Sequence, residues 1–207
     1  MARLPWLRAR PEAALRRMDP LLRWLALDGY GFHEGYFDWP NSVVQARTPG
    51  SLQGYQLRAF DQGLGRSLWF VNGADADRIP RTIATIPAAR HSDLWSGVGL
   101  ACAYAGGADE HAVQYLMASA GPHAAAFSQG VAFAAKARQK AGNPTGHTEE
   151  ACRIACGLTA DEAAALADET RKDLAPSGAE PAYEIWRQRL QRKFTNAHVS
   201  SDGKRGK

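Results

Sequence analysis

Residues 29–37, GYGFHEGYF, set two ionisable side chains among aromatics and glycines. His33 and Glu34 offer an imidazole and a carboxylate for acid–base work or metal ligation, and Gly29, Gly31 and Gly35 leave room for a ligand. The structural alternative is that the glycines permit a turn or a close helix contact while His33 bonds a backbone carbonyl. Further on, RAFDQGLGRSLWF (58–70) carries Asp61, Gln62, Arg66 and Ser67. Gln62 and Arg66, four apart, share a helix face. Asp61 and Arg66 stand about 140° apart on a regular helix and cannot both enter one narrow site. Arg66 against Glu34 or a bound carboxylate is the functional version of this pair; a surface or inter-repeat contact is the structural one.

Other candidates are sparser. His123, in AGPH, falls at a helix start, where the positive dipole end disfavours the imidazolium and leaves a neutral base, a ligand or a solvated turn residue. Tyr30, Phe32, Gln62, Trp69, Trp95 and Gln129 are candidate ligand contacts around an apolar pocket, although aromatics at helical spacing are equally core. Cys152 and Cys156 share a helix face, with His147 five residues earlier, but a structural zinc site wants four ligands and no second pair stands at useful spacing. No metal or cofactor is expected. The chain has no serine nucleophile elbow, dinucleotide fingerprint, Walker sequence or metalloprotease helix.

The elements that must position these residues read as helices. Residues 11–28 look helical with a break at Pro20, followed by the glycine- and aromatic-rich 29–42. A helix over about 55–71 closes at Asn72-Gly73, and Asp75 caps the next one, which ends near Pro87. Residues 89–107 form another, stopped by paired glycines; Asp109 begins the next, and 122–143 follows it. Gly157 stops a helix, Thr159 and Glu162 stand at capping-box spacing, 180–194 is charged and amphipathic, and 195–207 reads as a disordered basic tail. Alanine is abundant and no strand-period alternation competes.

Overlaying the segments exposes a repeat. QGLGRSLWFVNGAD (62–75) aligns with SGVGLACAYAGGAD (96–109) at an offset of 34, and QGVAFAAKARQKAGN (129–143) begins a third copy without the second glycine. Such periods mark helical repeat arrays. The expected fold is all-α, with antiparallel helix pairs in a curved array of about 34-residue units. The units are about 55–88, 89–121 and 122–157, closed by helices in 159–194, making a single domain over 1–194. With no strand before the glycines, a phosphate loop fails on context. The recurring glycines read as devices for close helix packing.

Charge excludes a further class. The net charge of +4 divides into +4 over residues 1–23, +6 over 187–207 and −6 in between. The basicity sits at the ends, so a nucleic-acid groove on the folded surface is not expected. Three cysteines suit a reducing cytosol, and no run approaches the roughly 18 apolar residues of a membrane span. A cytoplasmic protein is expected.

LRWLALDGYGFHEGYF, AFDQGLGRSLWFVNGAD, DLWSGVGLACAYAGG and QGVAFAAKARQKAGN together resemble an uncharacterised family encoded in bacterial enediyne polyketide gene clusters. The resemblance runs from about residue 3 to 194. Family members are longer, with an extra N-terminal stretch like the repeat unit, so the chain resembles a shortened, N-terminally incomplete member. The resemblance implies a pathway and no chemistry. The expectation is an accessory protein, not an enzyme, that binds a hydrophobic polyene or enediyne intermediate or a partner protein, with homo-oligomerisation open. An enzyme tailoring the polyene with His33, Glu34 and Arg66, aided by His123, is the alternative; a generic helical-repeat scaffold is a third reading.

Overall fold

A computed structural model describes residue 13, residues 15–175 and residues 180–205 of the chain. Among these it holds nine α-helices and no strand. They are α1 (Trp24–Phe37), α2 (Tyr55–Val71), α3 (Arg78–Ala84), α4 (His91–Ala105), α5 (Glu110–Ala120), α6 (Ala124–Ala141), α7 (Gly146–Cys156), α8 (Ala160–Thr170) and α9 (Ala182–Arg205). The fold is all-α. The expected caps are present: Asp109 accepts from the Ala112 amide, Asp75 from the amides of Asp77 and Arg78, and Thr159 with Glu162 forms the capping box. Gly157 stops α7 in the left-handed conformation.

Residues 29–37 belong to α1. Of the helix expected over 11–28, Ala13 and Leu15 are helical, residues 16–23 form turns interrupted at Asp19 beside Pro20, and helix resumes at Trp24; residues 11, 12 and 14 lie outside the described residues. At the other end of the chain, α9 runs to Arg205.

Glycines survive inside α1, α2, α4 and α6 because of what they touch. Each interior glycine costs a helix about 1 kcal/mol against alanine. Here a Cβ on Gly31 would stand 1.9 Å from the Phe60 carbonyl oxygen, and one on Gly63 would stand 1.7 Å from that of Asp28. The same exchange joins α2 to α4, with Gly65 against the Leu94 carbonyl at 2.1 Å and Gly97 against that of Gln62 at 2.0 Å. It recurs between α4 and α6, with Gly99 on Phe127 at 2.1 Å and Gly130 on Ser96 at 2.0 Å. Backbone lies on backbone at all three interfaces. Two glycines two residues apart point about 200° apart round a helix, so one serves the preceding neighbour and the other the next.

These contacts also fix direction. Across α2 and α4, Arg58 meets Asp93, Gly65 meets Leu94 and Trp69 reaches Gly106. Across α4 and α6, Ser96 meets Gln129 and the Tyr104 carbonyl meets Arg138. On either side of the glycine crossing the numbers rise together, from Arg58 with Asp93 to Trp69 with Gly106, so the long helices are parallel, and α3 and α5 return the chain between them. Helices α2 and α3 fall within residues 55–88, α4 and α5 within 89–121, and α6 and α7 within 122–157. A fourth glycine copy, Asp28-Gly29-Tyr30-Gly31, lies in α1 at the same offset of 34. Buried Phe60, Leu64, Leu68, Leu94, Val98, Phe127 and Val131 fill the core between the layers. No helix among the described residues is long and apolar enough to cross a membrane.

Candidate functional site

The residue before each first glycine is polar: Asp28, Gln62, Ser96 and Gln129, all buried. Helix α9 lies across this row and sets Arg187, fully buried, into it. Arg187 donates to Asp93 Oδ1 and Glu184 Oε2, both at 2.7 Å, and to Gln129 Oε1 at 3.1 Å. Arg58 of α2 closes the other side, donating to Asp93 Oδ2 at 3.0 Å and Glu184 Oε1 at 2.8 Å. Gln62 donates to Asp93, Ser96 to Gln129, and Gln191 to Gln129. Burial disfavours the Arg187 charge, but Asp93, Tyr55 and Glu184 outweigh it and hold its pKa well above the ordinary value. Two cations balance two carboxylates, as a desolvated cluster requires. Thus Gln62 and Gln129, candidate ligand contacts by sequence, are frame residues that register α9 on α2, α4 and α6.

The acid–base candidates separate. His33 Nδ1 lies 3.3 Å from Glu34 Oε1, so that pair forms as its adjacency allows. Arg66 does not meet Glu34: it pairs with Asp28 and lies 5.1 Å over the Phe32 ring. Residues 28 and 32 share one side of α1 and 30 and 34 the other, about 200° round, which keeps Arg66 from Glu34. Burial raises the Asp28 pKa against the opposing pull of Arg66. Asp61 turns away from Arg66, as its spacing requires, and takes Arg90, whose Nε lies 3.1 and 3.0 Å from its two oxygens. Burial raises the Asp61 pKa as well, opposed by Arg90. Ser67 donates to the Leu64 carbonyl at 2.6 Å and packs on Gly35, where a Cβ would stand 2.0 Å from its oxygen. Its smallness is what that contact needs.

Trp69 and Trp95 are core. Trp69 donates to the Gly106 carbonyl at 3.1 Å, and Trp95 meets Phe127 edge-on at 6.2 Å between centroids. Tyr30 is buried against Phe60, while Phe32 stacks on Tyr36. His123, half-buried, stands edge-on to His91 with centroids 6.0 Å apart; burial first and His91 second lower its pKa. The cysteines are all buried thiols, with Cys102 pushed up to about 12 by burial. Among the described residues no three His, Cys, Asp or Glu side chains come together to hold a metal ion.

Two cavities adjoin these elements. A cleft of about 950 Å³ opens between the start of α1, the start of α2, the end of α8 and the start of α9. Leu21, Trp24, Tyr55 and Leu174 supply its apolar wall, and Arg23, Lys172 and Glu180 are among its charged residues. Trp24 and Tyr55 meet edge-on at 4.9 Å, and the Trp24 indole N–H is buried with no hydrogen-bond partner. A smaller cavity of about 360 Å³ is lined by Tyr30, Glu34, Asp38, Arg47 and Phe60 among others. Of the residues proposed from sequence, Tyr30 and Glu34 line that smaller cavity and none lines the cleft. Sequence reading missed Trp24 and Tyr55, which lie more than one helix apart in the chain; their aromatic character was the only signal.

No curated protein and no solved structure matches the chain. A family profile described as a protein of unknown function, DUF1702, matches residues 1–194, nearly the whole length. The chain belongs to the DUF1702 family of proteins of unknown function.

Proposed function

We propose that this protein is a cytoplasmic, non-catalytic accessory component of enediyne polyketide biosynthesis, holding a hydrophobic polyene or enediyne intermediate in the cleft beside Trp24 and Tyr55. The pathway rests on the resemblance of the α1, α2, α4 and α6 motifs to a family from such gene clusters. The observation that carries the binding reading is the cleft itself. Its volume of about 950 Å³ is in the range that takes a small organic ligand, and Leu21, Trp24, Tyr55 and Leu174 give it an apolar wall.

Binding is favoured over catalysis because the charged candidates are spent on the frame. Arg66 is held by Asp28, Asp61 by Arg90, and Asp93 with Glu184 by Arg58 and Arg187. The alternative, an enzyme tailoring the polyene, keeps one specific support: Glu34, in contact with His33, lines the smaller cavity together with Asp38 and Tyr30.

The test is titration of the purified chain with cis-parinaric acid, a conjugated polyene fatty acid that fluoresces when it leaves water. Saturable fluorescence is expected, and co-expression with the polyketide synthase should leave a bound chromophore visible by absorbance and by native mass. A flat titration together with a colourless co-expressed protein would sink the reading.

A further inference from the structure

Helix α1 carries Asp28 and Glu34 buried, yet keeps large apolar side chains outside the side that packs on α2. Apolar residues on a helix ordinarily face its covered side. Its buried side carries Leu27, Gly31 and Gly35 against α2. On the opposite side Leu25, Gly29, Phe32 and Tyr36 fall within about 60° of one another, and Leu22 stands in the hydrogen-bonded turn that leads into the helix. Leu22, Leu25 and Tyr36 are each more than two-fifths exposed.

Gly29 is the informative residue. It occupies the first-glycine position, equivalent to Gly63, Gly97 and Gly130, each of which seats the carbonyl of a preceding helix. At Gly29 an added Cβ would meet nothing within 4 Å among the described residues. The surface built for helix contact thus continues one step beyond the row, with its glycine in register. Phe70 and Phe37 widen the patch, linked to it by ring contacts of 5.5 Å to Phe32 and 4.9 Å to Tyr36. Exposed apolar patches of this kind mark interaction surfaces.

We propose that a second copy of this chain covers this face, with the two α1 helices packed antiparallel across a two-fold axis at Gly29. A two-fold at Gly29 pairs each residue with the one equally far on the other side, so Leu22 meets the second copy's residue 36, a tyrosine, Ala26 meets residue 32, a phenylalanine, and Leu25 meets residue 33, a histidine whose ring already packs on Phe37. Large apolar side chains stand seven residues either side of the glycine, which is what an isologous interface asks for. Antiparallel packing also sets opposite helix dipole ends beside each other. One helix face with an aromatic flank is at the small end of specific interfaces, so monomer and dimer exchange with concentration.

Sedimentation velocity over a hundredfold concentration range tests this on the full chain. A shift from monomer to dimer is expected, and Leu25→Glu or Tyr36→Glu should hold the chain monomeric with an unchanged far-UV circular dichroism spectrum. Leu22→Cys mixed with Tyr36→Cys should give a disulfide-linked heterodimer on mild oxidation, in excess of either variant alone; Cys102, Cys152 and Cys156 are buried and do not compete. A chain that stays monomeric at every concentration overturns the proposal, as does a dimer indifferent to Leu25→Glu. Self-crosslinking of Leu22→Cys in preference to the mixed pair overturns the antiparallel arrangement.

Discussion

Gly97 of α4 rests on the carbonyl of Gln62 in α2, where a Cβ would stand 2.0 Å from the oxygen, while Gly65 of α2 rests on the Leu94 carbonyl in return. This reciprocal seat, repeated along α1, α2, α4 and α6, sets the spacing of the whole row.

The seat predicts opposite outcomes for one substitution at equivalent positions. Gly97→Ala should destabilise the chain by about 1–3 kcal/mol, because the backbone of α2 must retreat. Gly29→Ala, facing open space, should stabilise it by up to about 1 kcal/mol through helix propensity. Urea unfolding, at a concentration where the chain is monomeric, measures both. Equal effects at the two positions would refute the glycine seats.

The seam under α9 predicts a large loss when its buried cation is removed. Arg187→Met should cost about 3–5 kcal/mol, since Asp93 and Glu184 stay buried with one partner fewer. Arg187→Met combined with Glu184→Gln should recover part of that loss. The comparison is by denaturant midpoint, and a single variant within 1 kcal/mol of the parent, on the order of an exposed pair, would show the seam to be dispensable.

His123 predicts a pH dependence of defined sign. Burial, then His91, lowers its pKa below the ordinary 6.5, so the folded chain binds this proton less readily than the unfolded one. Its contribution to stability is full above 6.5 and is lost as pH falls through the lowered value. His123→Gln should therefore flatten the decline in stability between pH 6.5 and the lowered value and change little at pH 8. Identical slopes for variant and parent in acid would contradict the assignment.

Ligand binding and acid–base chemistry separate by site. Trp24→Glu should abolish the parinaric acid signal, and Glu34→Gln should leave it unchanged, because Glu34 lines a different cavity. The reverse pattern would move the site to the smaller cavity.

How much of this was legible in the sequence differs from residue to residue. The caps at Asp109 and Thr159 and the stop at Gly157 were readable because each is local: a side chain bonds an amide two or three residues on, or a glycine turns left-handed. The 34-residue register of Gly63–Gly97 and Gly65–Gly99 was readable because it repeats. The same register at Gly29 and Gly31 was not drawn from sequence, where those glycines allowed a turn or a close helix contact; the structure sets Gly31 in close contact with α2.

The partners of the charged groups were not legible. Nothing near Arg66 in the chain selects Asp28 over Glu34; the rotation of α1 against α2, set by Gly31 and Gly63, decides it. Arg187 gave no sign of burial, since a charged amphipathic helix reads as a solvated one until a row of buried polar residues from α2, α4 and α6 is found beneath it. By itself the sequence determined the helices, their ends and their repeat, because those depend on neighbours three or four residues away or on periodicity. Tertiary structure alone decided which cations met which carboxylates, where the cleft opened beside Trp24 and Tyr55, and that Gly29 was left uncovered. Those depend on distances between residues tens to over a hundred positions apart, and only the packed backbone sets them.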